Sequence, residues 1–457
     1  MALRNLLIPF HILGTILIVR FLHPAEYGKW FFLWNIVSTA APLLSLGWLE
    51  TLSKFFPELP NRKDKNRLFT LSFLVTLFAS ICVSLPYLLG LIYLARYIPV
   101  ELKQVQISFY LFLMFNSFLN LFDGYYRGIG RFKFWTLLLS LRSLVSIILS
   151  LVFIYFISAK FEAVFYGYLG ITFLLLGILF WNRKNDFSFQ NLLIEKNIFN
   201  FLLISYLAQI AFILKANIDP ILIRLIIRKS YELAYFEVGA KIPRILEALL
   251  LTPMAVPLLY HFSTHNPQLD KKEMVLFGSK IIAFAVASIS LALFSFSDWI
   301  IPALFTDAYR RSIPILKIYA FVPFLTSMII LGHTYLFASN KPTVPTLLLL
   351  AGFIISSVLD LLWIPKFGIL GAAFSGLIVN ILFVIGNLIY LSRHQIQMER
   401  IFYKLLLALS VSAGLNFLIP YCALPIFFFL SYVWKLITLQ DIQKVKEIIK
   451  EVRFSNK

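Results

Sequence analysis

In residues 237–247, EVGAKIPRILE, Glu237, Lys241, Arg244 and Glu247 stand at i, i+4, i+7 and i+10, so they share one face of a helix. Both flanks are apolar, LAYF before and ALLLTPMAVPLLY after. Three other apolar stretches carry charge in the same way: Lys215 and Asp219 in KANIDP, Arg142 in LSLRSLVS, and Arg20 in IVRF. Two chemistries suit these residue types. Guanidinium and ammonium groups held in an apolar wall can receive an anion, because the guanidinium fork matches phosphate oxygens. Alternatively the charges pair among themselves, Glu237 with Lys241, Arg244 with Glu247 and Lys215 with Asp219, each within one helical turn. Arg142 has no carboxylate within a turn, so self-pairing explains it least. Asp219 and Glu237 suit a proton or sodium site equally as well as a static pair with lysine.

Other reaction chemistry is missing from the sequence. It shows no HExxH, no Gly-Lys-Ser/Thr phosphate loop and no paired-acid loop. His261 and His265 are at helical spacing with no acid between them, which reads as a span-end pair rather than a metal site. Cys82 and Cys422 lie in apolar runs and read as small packing residues, with no disulfide framework. No catalytic group, metal or cofactor is expected.

The elements that position these charges follow from composition. Apolar residues make up 60% of the 457-residue chain and charged ones only 14%, against about 25% charged in a soluble domain. Long apolar runs joined by short charged loops give an all-α polytopic membrane protein. At about 20 residues per span there are about fourteen transmembrane helices, from near 5–22 to near 421–437. Arg142 falls on the fifth (133–156), Lys215 and Asp219 on the seventh (201–227), and the charged stripe on the eighth (235–261). Arg244, nine residues past Tyr235, lies roughly 14 Å along that helix. Lys280, Lys317 and Asp360 lie nearer helix ends, where they can snorkel. No cleavable signal pattern is visible.

A net charge of +19 raises nucleic acid as a partner, but the basic residues follow membrane topology instead. With the N-terminus inside, roughly 24 Lys and Arg fall on the cytoplasmic side and roughly 10 on the other. NRKDKNR (61–67), RGIGRFK (127–133), NRK (182–184) and the tail carry most of the cytoplasmic excess. The expected orientation is N-in and C-in, with no nucleic-acid partner.

A weak repeat at an offset of about 208 residues pairs the spans near 68 and 276, 105 and 313, 133 and 341, and 161 and 369. It predicts two pseudo-symmetric six-helix lobes related by an axis along the membrane normal. They are an N-lobe at 1–182 and a C-lobe at 199–395, joined by a cytoplasmic linker at 183–198. Two further helices fill 396–439, and a cytoplasmic amphipathic tail fills 440–457. In the second helix, Leu33, Ile36 and Thr39 stand opposite Lys241, Arg244 and Glu247, so the stripe is no general feature of the repeat.

Two stretches carry a resemblance. VRFLHPAEYGKWFF (19–32) leaves the first helix, and LDLLWIPKFGILGAAFSGLIVNIL (359–382), preceded by FASNKP (337–342), enters the twelfth. They resemble the bacterial Wzx-type oligosaccharide and polysaccharide flippases, of the superfamily that includes MATE exporters and the peptidoglycan-precursor flippase. Those relatives usually carry more chain ahead of the first motif, so either helix one is short or the start lies upstream. Membership would imply alternating-access transport of a polyprenyl-diphosphate-linked glycan across the bacterial inner membrane, with membrane lipids and polysaccharide polymerase or export machinery as partners. The cations would then line a polar cavity between the lobes and receive the diphosphate: Arg142 from the first, Lys215, Lys241 and Arg244 from the second, with Arg20 meeting a phosphate or snorkelling.

The motifs also have readings of their own. The Pro-Ala-Glu-Tyr-Gly segment reads as a tight turn between helices one and two. In GILGAAFSG, Gly368/Ala372, Gly371/Ser375 and Ala372/Gly376 are small pairs that let helix twelve approach a neighbour closely. Trp30, Trp34, Trp48, Trp135, Trp181, Trp299 and Trp363 read as interface belts, and Tyr125 and Tyr126 lie within reach of a headgroup. Span prolines, three of them (Pro243, Pro253, Pro257) in the eighth helix, permit bends. Competing functions are a MATE-like small-molecule exporter, a peptidoglycan-precursor flippase and a membrane-embedded glycan polymerase or ligase. The last would need a sizeable loop, and the longest external one, near 297–311, spans about fifteen residues.

Overall fold

The computed structural model describes residues 2–59, 61–93, 99–183, 186–189, 195–251, 271–338, 343–393 and 399–436. His261, His265, Pro253, Pro257 and the tail at 440–457 lie outside them. Among the described residues there are helices and turns but no strands. The helices are α1 (Ala2–Phe21), α2 (Pro24–Leu44), α3 (Trp48–Glu58), α4 (Arg62–Tyr93), α5 (Val100–Gly128), α6 (Phe132–Phe156), α7 (Phe161–Arg183) and α8 (Lys196–Ile227). There follow α9 (Ser230–Leu246), extended by a π-helical turn (Glu247–Leu251), α10 (Lys271–Ser295), α11 (Ser297–Phe305), a 3₁₀ turn (Asp307–Ser312), α12 (Ile313–Tyr319) and α13 (Val322–Ala338). The last are α14 (Thr343–Phe367), α15 (Ile369–Arg393), α16 (Glu399–Leu418) and α17 (Ala423–Val433).

Among the described residues nine helical segments are long and apolar enough to cross a membrane, or ten if the bent pair α2–α3 (44°) is one span. Their outer faces are unlike those of a water-soluble bundle. Leu141, Ile148, Val152, Phe173, Ile178, Leu361, Ile385 and Ile389 are all exposed, so these helices are apolar on their outer as well as inner faces and fit a lipid solvent. Buried hydroxyls follow the same logic. Thr70, Ser80, Ser146, Ser150 and Thr172 each donate to the carbonyl four residues back, so these hydroxyls are satisfied within their own helices.

The chain forms two compact units, 1–234 and 235–457, the division falling within α9. In the first, α6 packs on α1 and α7, α5 packs on α2, α3 and α4, and α8 packs on α2 and α3. Its core joins Trp48, Phe56, Phe69, Phe122, Tyr126 and Trp135. In the second, α14 packs on α15, α13 on α10 and α15, and α10 also on α16 and α17. Val286, Leu291, Phe324, Met328, Leu391 and Phe427 lie in its core.

Several expectations are corrected here. The segment AEYG is no turn: Pro24 occupies the first turn of α2, His23 caps it through Nδ1, and Gly28 lies inside the helix. Glu26 instead caps the N-terminus of α7, its Oε2 accepting from the Phe161 N–H at 3.0 Å. Gly28 serves close approach, since a Cβ there would stand 1.8 Å from the Ser230 carbonyl oxygen. Gly28→Ala is therefore expected to cost about 1–3 kcal/mol by overpacking. Gly170→Ala, in α7 with nothing within 4 Å, should leave the melting temperature unchanged or raise it, which thermal denaturation in detergent would check. Between α2 and α4 lies α3, whose apolar face packs on α5. It can do so because Gly124 and Gly128 leave room for the Leu49 and Leu52 carbonyls. The loop expected near 297–311 is likewise folded, into α11 and the 3₁₀ turn.

Trp30, Trp48 and Trp135 are not belt residues but core ones, Trp135 stacking on Tyr126 at 5.0 Å. Trp181 and Trp299 are exposed, as a belt requires. Cys82 is exposed rather than packed inside. In α15 the close approach is real: a Cβ on Gly371 would meet the Trp363 carbonyl of α14 at 2.5 Å. Asp360 does not snorkel. It is fully buried and accepts a hydrogen bond from the Ser375 hydroxyl of α15.

Candidate functional site

In the first unit, α6 carries Arg142 ten residues from its start, about 15 Å along the helix axis. Arg142 Nη1 donates to Asn116 Oδ1 of α5 at 3.3 Å. Asn116 is buried, and its amide is oriented by the bond from Nδ2 to the Phe112 carbonyl at 2.7 Å. Both residues line a cavity of about 280 Å³ with Trp34 and Ser38 of α2, Asn120 and Asp123 of α5, and Trp135 of α6. Asp123 is engaged by Arg127 at 2.7 and 2.6 Å, so its charge is matched within its own helix. Among the described residues no carboxylate forms an ion pair with Arg142, whose hydrogen-bond partner there is a neutral amide. A charge at membrane depth costs about 2.5–3.5 kcal/mol on insertion scales, and here a neutral amide and a cavity stand beside it.

The polar wall of the cavity has a periodicity visible in the sequence. Asn116, Asn120 and Asp123 fall at i, i+4 and i+7, the spacing that singled out Glu237, Lys241 and Arg244.

Lys215 and Asp219 lie on α8, both half-buried. Between them Asn217 accepts from Asn35 Nδ2 of α2 at 3.4 Å, a polar link across that helix pair. Arg20 is exposed in the last turn of α1 and does not line the Arg142 cavity.

In the second unit the charged stripe is a triad. Glu237 is buried and takes Arg244 Nη1 at 2.6 Å and Lys241 Nζ at 3.7 Å. The pairing with Lys241 is the expected one. Arg244 reaches a carboxylate two turns back, because helical side chains lean toward the N-terminus and arginine is long enough to span the gap. Glu247 accepts from the Thr326 hydroxyl at 2.6 Å. The Arg244 guanidinium also sits over the rings of Phe236 (6.0 Å) and Tyr319 (5.8 Å), which meet edge to face. Two cations, Lys241 and Arg244, thus share the Glu237 carboxylate. Pro243 interrupts the backbone ladder just before the π-helical turn, the kind of irregularity that marks bends and functional sites.

Sequence comparison with protein families then decides the family. The model for "Polysaccharide biosynthesis protein" matches residues 3–262, more than half of the chain. The chain belongs to this polysaccharide biosynthesis family. None of the curated proteins matches the family member. Among solved structures it is similar to one described as "Lipid II flippase MurJ, inward closed conformation", with a TM-score of 0.75 at 11% identity, covering 95% of this chain and 99% of that one. It is also similar to an inward-facing multidrug resistance MATE family transporter of the MOP superfamily, with a TM-score of 0.69 at 15% identity, covering 87% and 98%. A third is a MOP superfamily transporter from Pyrococcus furiosus, with a TM-score of 0.58 at 16% identity, covering 86% and 93%. At these identities the likeness is one of fold, and the family member is a multi-pass membrane protein with a MurJ- and MATE-like fold.

Proposed function

We propose that this protein moves a polyprenyl-diphosphate-linked oligosaccharide across the bacterial inner membrane by alternating access, for surface polysaccharide biosynthesis. Membership of the polysaccharide biosynthesis family and a fold shared with a lipid-linked precursor flippase support the reading. One observation carries it: Arg142, set deep in an apolar bundle, faces a polar cavity with a neutral amide as its partner. A diphosphate would supply the missing anion with charge-assisted bonds. Lys241 and Arg244 form the second anion-receiving group, Lys215 and Arg20 are further candidates, and the chain runs N-in and C-in. The alternating bodies would be the six-helix lobes read from the repeat, at 1–182 and 199–395. A multidrug exporter of the MATE type is the competing reading, from the second structural likeness.

Export is expected to fall roughly 10-fold in Arg244→Ala, since the guanidinium is shared between Glu237 and ligand and Lys241 remains. Counting lipid-linked oligosaccharide left on the inner leaflet would check this, and normal export would remove Arg244 from the site. Glu237 and Asp219 are proposed as coupling groups. Export into vesicles should then follow an imposed proton or sodium gradient and lose that dependence in Glu237→Gln or Asp219→Asn. Transport indifferent to both gradients would end the coupling role.

A further inference from the structure

A second basic cavity of about 280 Å³ lies in the first unit, where α3, α4, α5 and α7 end or begin. Arg62, Lys65, Arg131 and Arg183 line it with one acid, Asp186. Asp186 is buried, and its two oxygens are taken by Arg62 and Arg183, each at 3.0 Å, and by the Tyr125 hydroxyl at 3.3 Å. Tyr125 and Tyr126 are both buried; Tyr125 lines the cavity and Tyr126 packs edge to face on it at 5.4 Å, with the Arg183 guanidinium over their rings at 5.0 and 5.6 Å. Burial alone would push the Asp186 carboxyl up, but hydrogen bonds and charge from Arg62 and Arg183 outweigh it and hold it below the usual range. The segment after α7 is fixed in place by Phe187 against Phe69 and Phe73 and by the Ser188 N–H on Thr70.

Asp186 is thereby used up, and among the described residues Lys65 and Arg131 form no ion pair. Their positions deepen the excess. Lys65 stands in the first turn of α4 and Arg131 caps α6, at helix N-termini whose dipole is already positive. Cations are disfavoured there unless an anion joins them. Exposed aromatic residues flank the lining residues in sequence: Phe132 and Phe134 follow Arg131, and Trp181 lies two residues before Arg183. Phe134 packs on Tyr126 at 5.5 Å. A phosphate in the cavity would have its acyl chains against these rings.

We propose that this cavity binds the phosphate headgroup of an anionic membrane phospholipid. The inference does not depend on what the protein transports. The test places the purified full chain in phosphatidylcholine nanodiscs doped with pyrene-labelled phosphatidylglycerol and reads energy transfer from tryptophan, with pyrene-labelled phosphatidylcholine as reference. The wild type should enrich the anionic probe. Lys65→Gln with Arg131→Gln should weaken that enrichment roughly 30-fold, about 5-fold per charge, taking about 1 kcal/mol for each basic residue near an anionic surface. Neither residue bonds Asp186, so the fold is left alone, and Arg131→Lys should keep the preference. Equal transfer from both probes in the wild type, or an unchanged preference in the double variant, would overturn the proposal. So would full displacement of the lipid by inorganic pyrophosphate, which would make this a site for a soluble phosphate.

Discussion

Export of the proposed lipid-linked glycan is expected to fall roughly 10- to 100-fold in Arg142→Ala, with the protein still folded and inserted. The size follows from one charge-assisted hydrogen bond to phosphate, about 1.5–3 kcal/mol, at 1.4 kcal/mol per decade. The second half of the expectation separates function from structure. Arg142 bonds a neutral amide and faces a cavity, so removing it removes a costly charge and breaks no ion pair. The alanine variant should melt no lower than the wild type. Arg142→Lys keeps the charge but loses the fork and should fall between the two. If alanine lowered the melting temperature by several degrees and left export intact, Arg142 would be a packing residue.

Stability is expected to suffer most from Arg224→Ala. Glu101 at the start of α5 is fully buried, and both its oxygens accept from Arg224 of α8, each at 2.8 Å. Deleting the guanidinium leaves a carboxylate with no water to solvate it, at a cost of about 3–5 kcal/mol. Arg224→Met combined with Glu101→Gln removes both charges and should recover most of the loss. Thermal denaturation of the two variants and the wild type in detergent would check this. A full loss in the double variant would show that Arg224 matters through packing, for instance on Phe32, whose ring it overlies at 5.7 Å.

How much of this was legible depended on whether the signal was local. The all-helical, membrane-spanning class follows from apolar runs that need only a ruler, and the Glu237–Lys241 pair follows from one turn of helix. Arg244 on Glu237 needed the lean of helical side chains as well as their spacing. The Asn116–Asn120–Asp123 row has the same periodicity as the charged stripe but stands out less, because two of its members are uncharged. Glu101–Arg224 joins residues 123 apart, and Asp186 meets Arg62 across 124. No periodicity reports such pairs. Helix α3 carries no span signal, because it is too short for a span and half polar. Gly28 was read as a turn former, since a glycine that lets two helices touch looks the same in sequence as one that bends the chain.

The most direct test is reconstitution of the purified protein into liposomes carrying a fluorescent polyprenyl-diphosphate oligosaccharide on one leaflet. Transfer to the other leaflet would be followed by quenching with a membrane-impermeant reductant. The account predicts protein-dependent transfer that Arg142→Ala reduces and that the same lipid without its diphosphate does not undergo. Wild-type protein that leaves the labelled lipid on its original leaflet, or that moves it equally well without the diphosphate, would contradict the account.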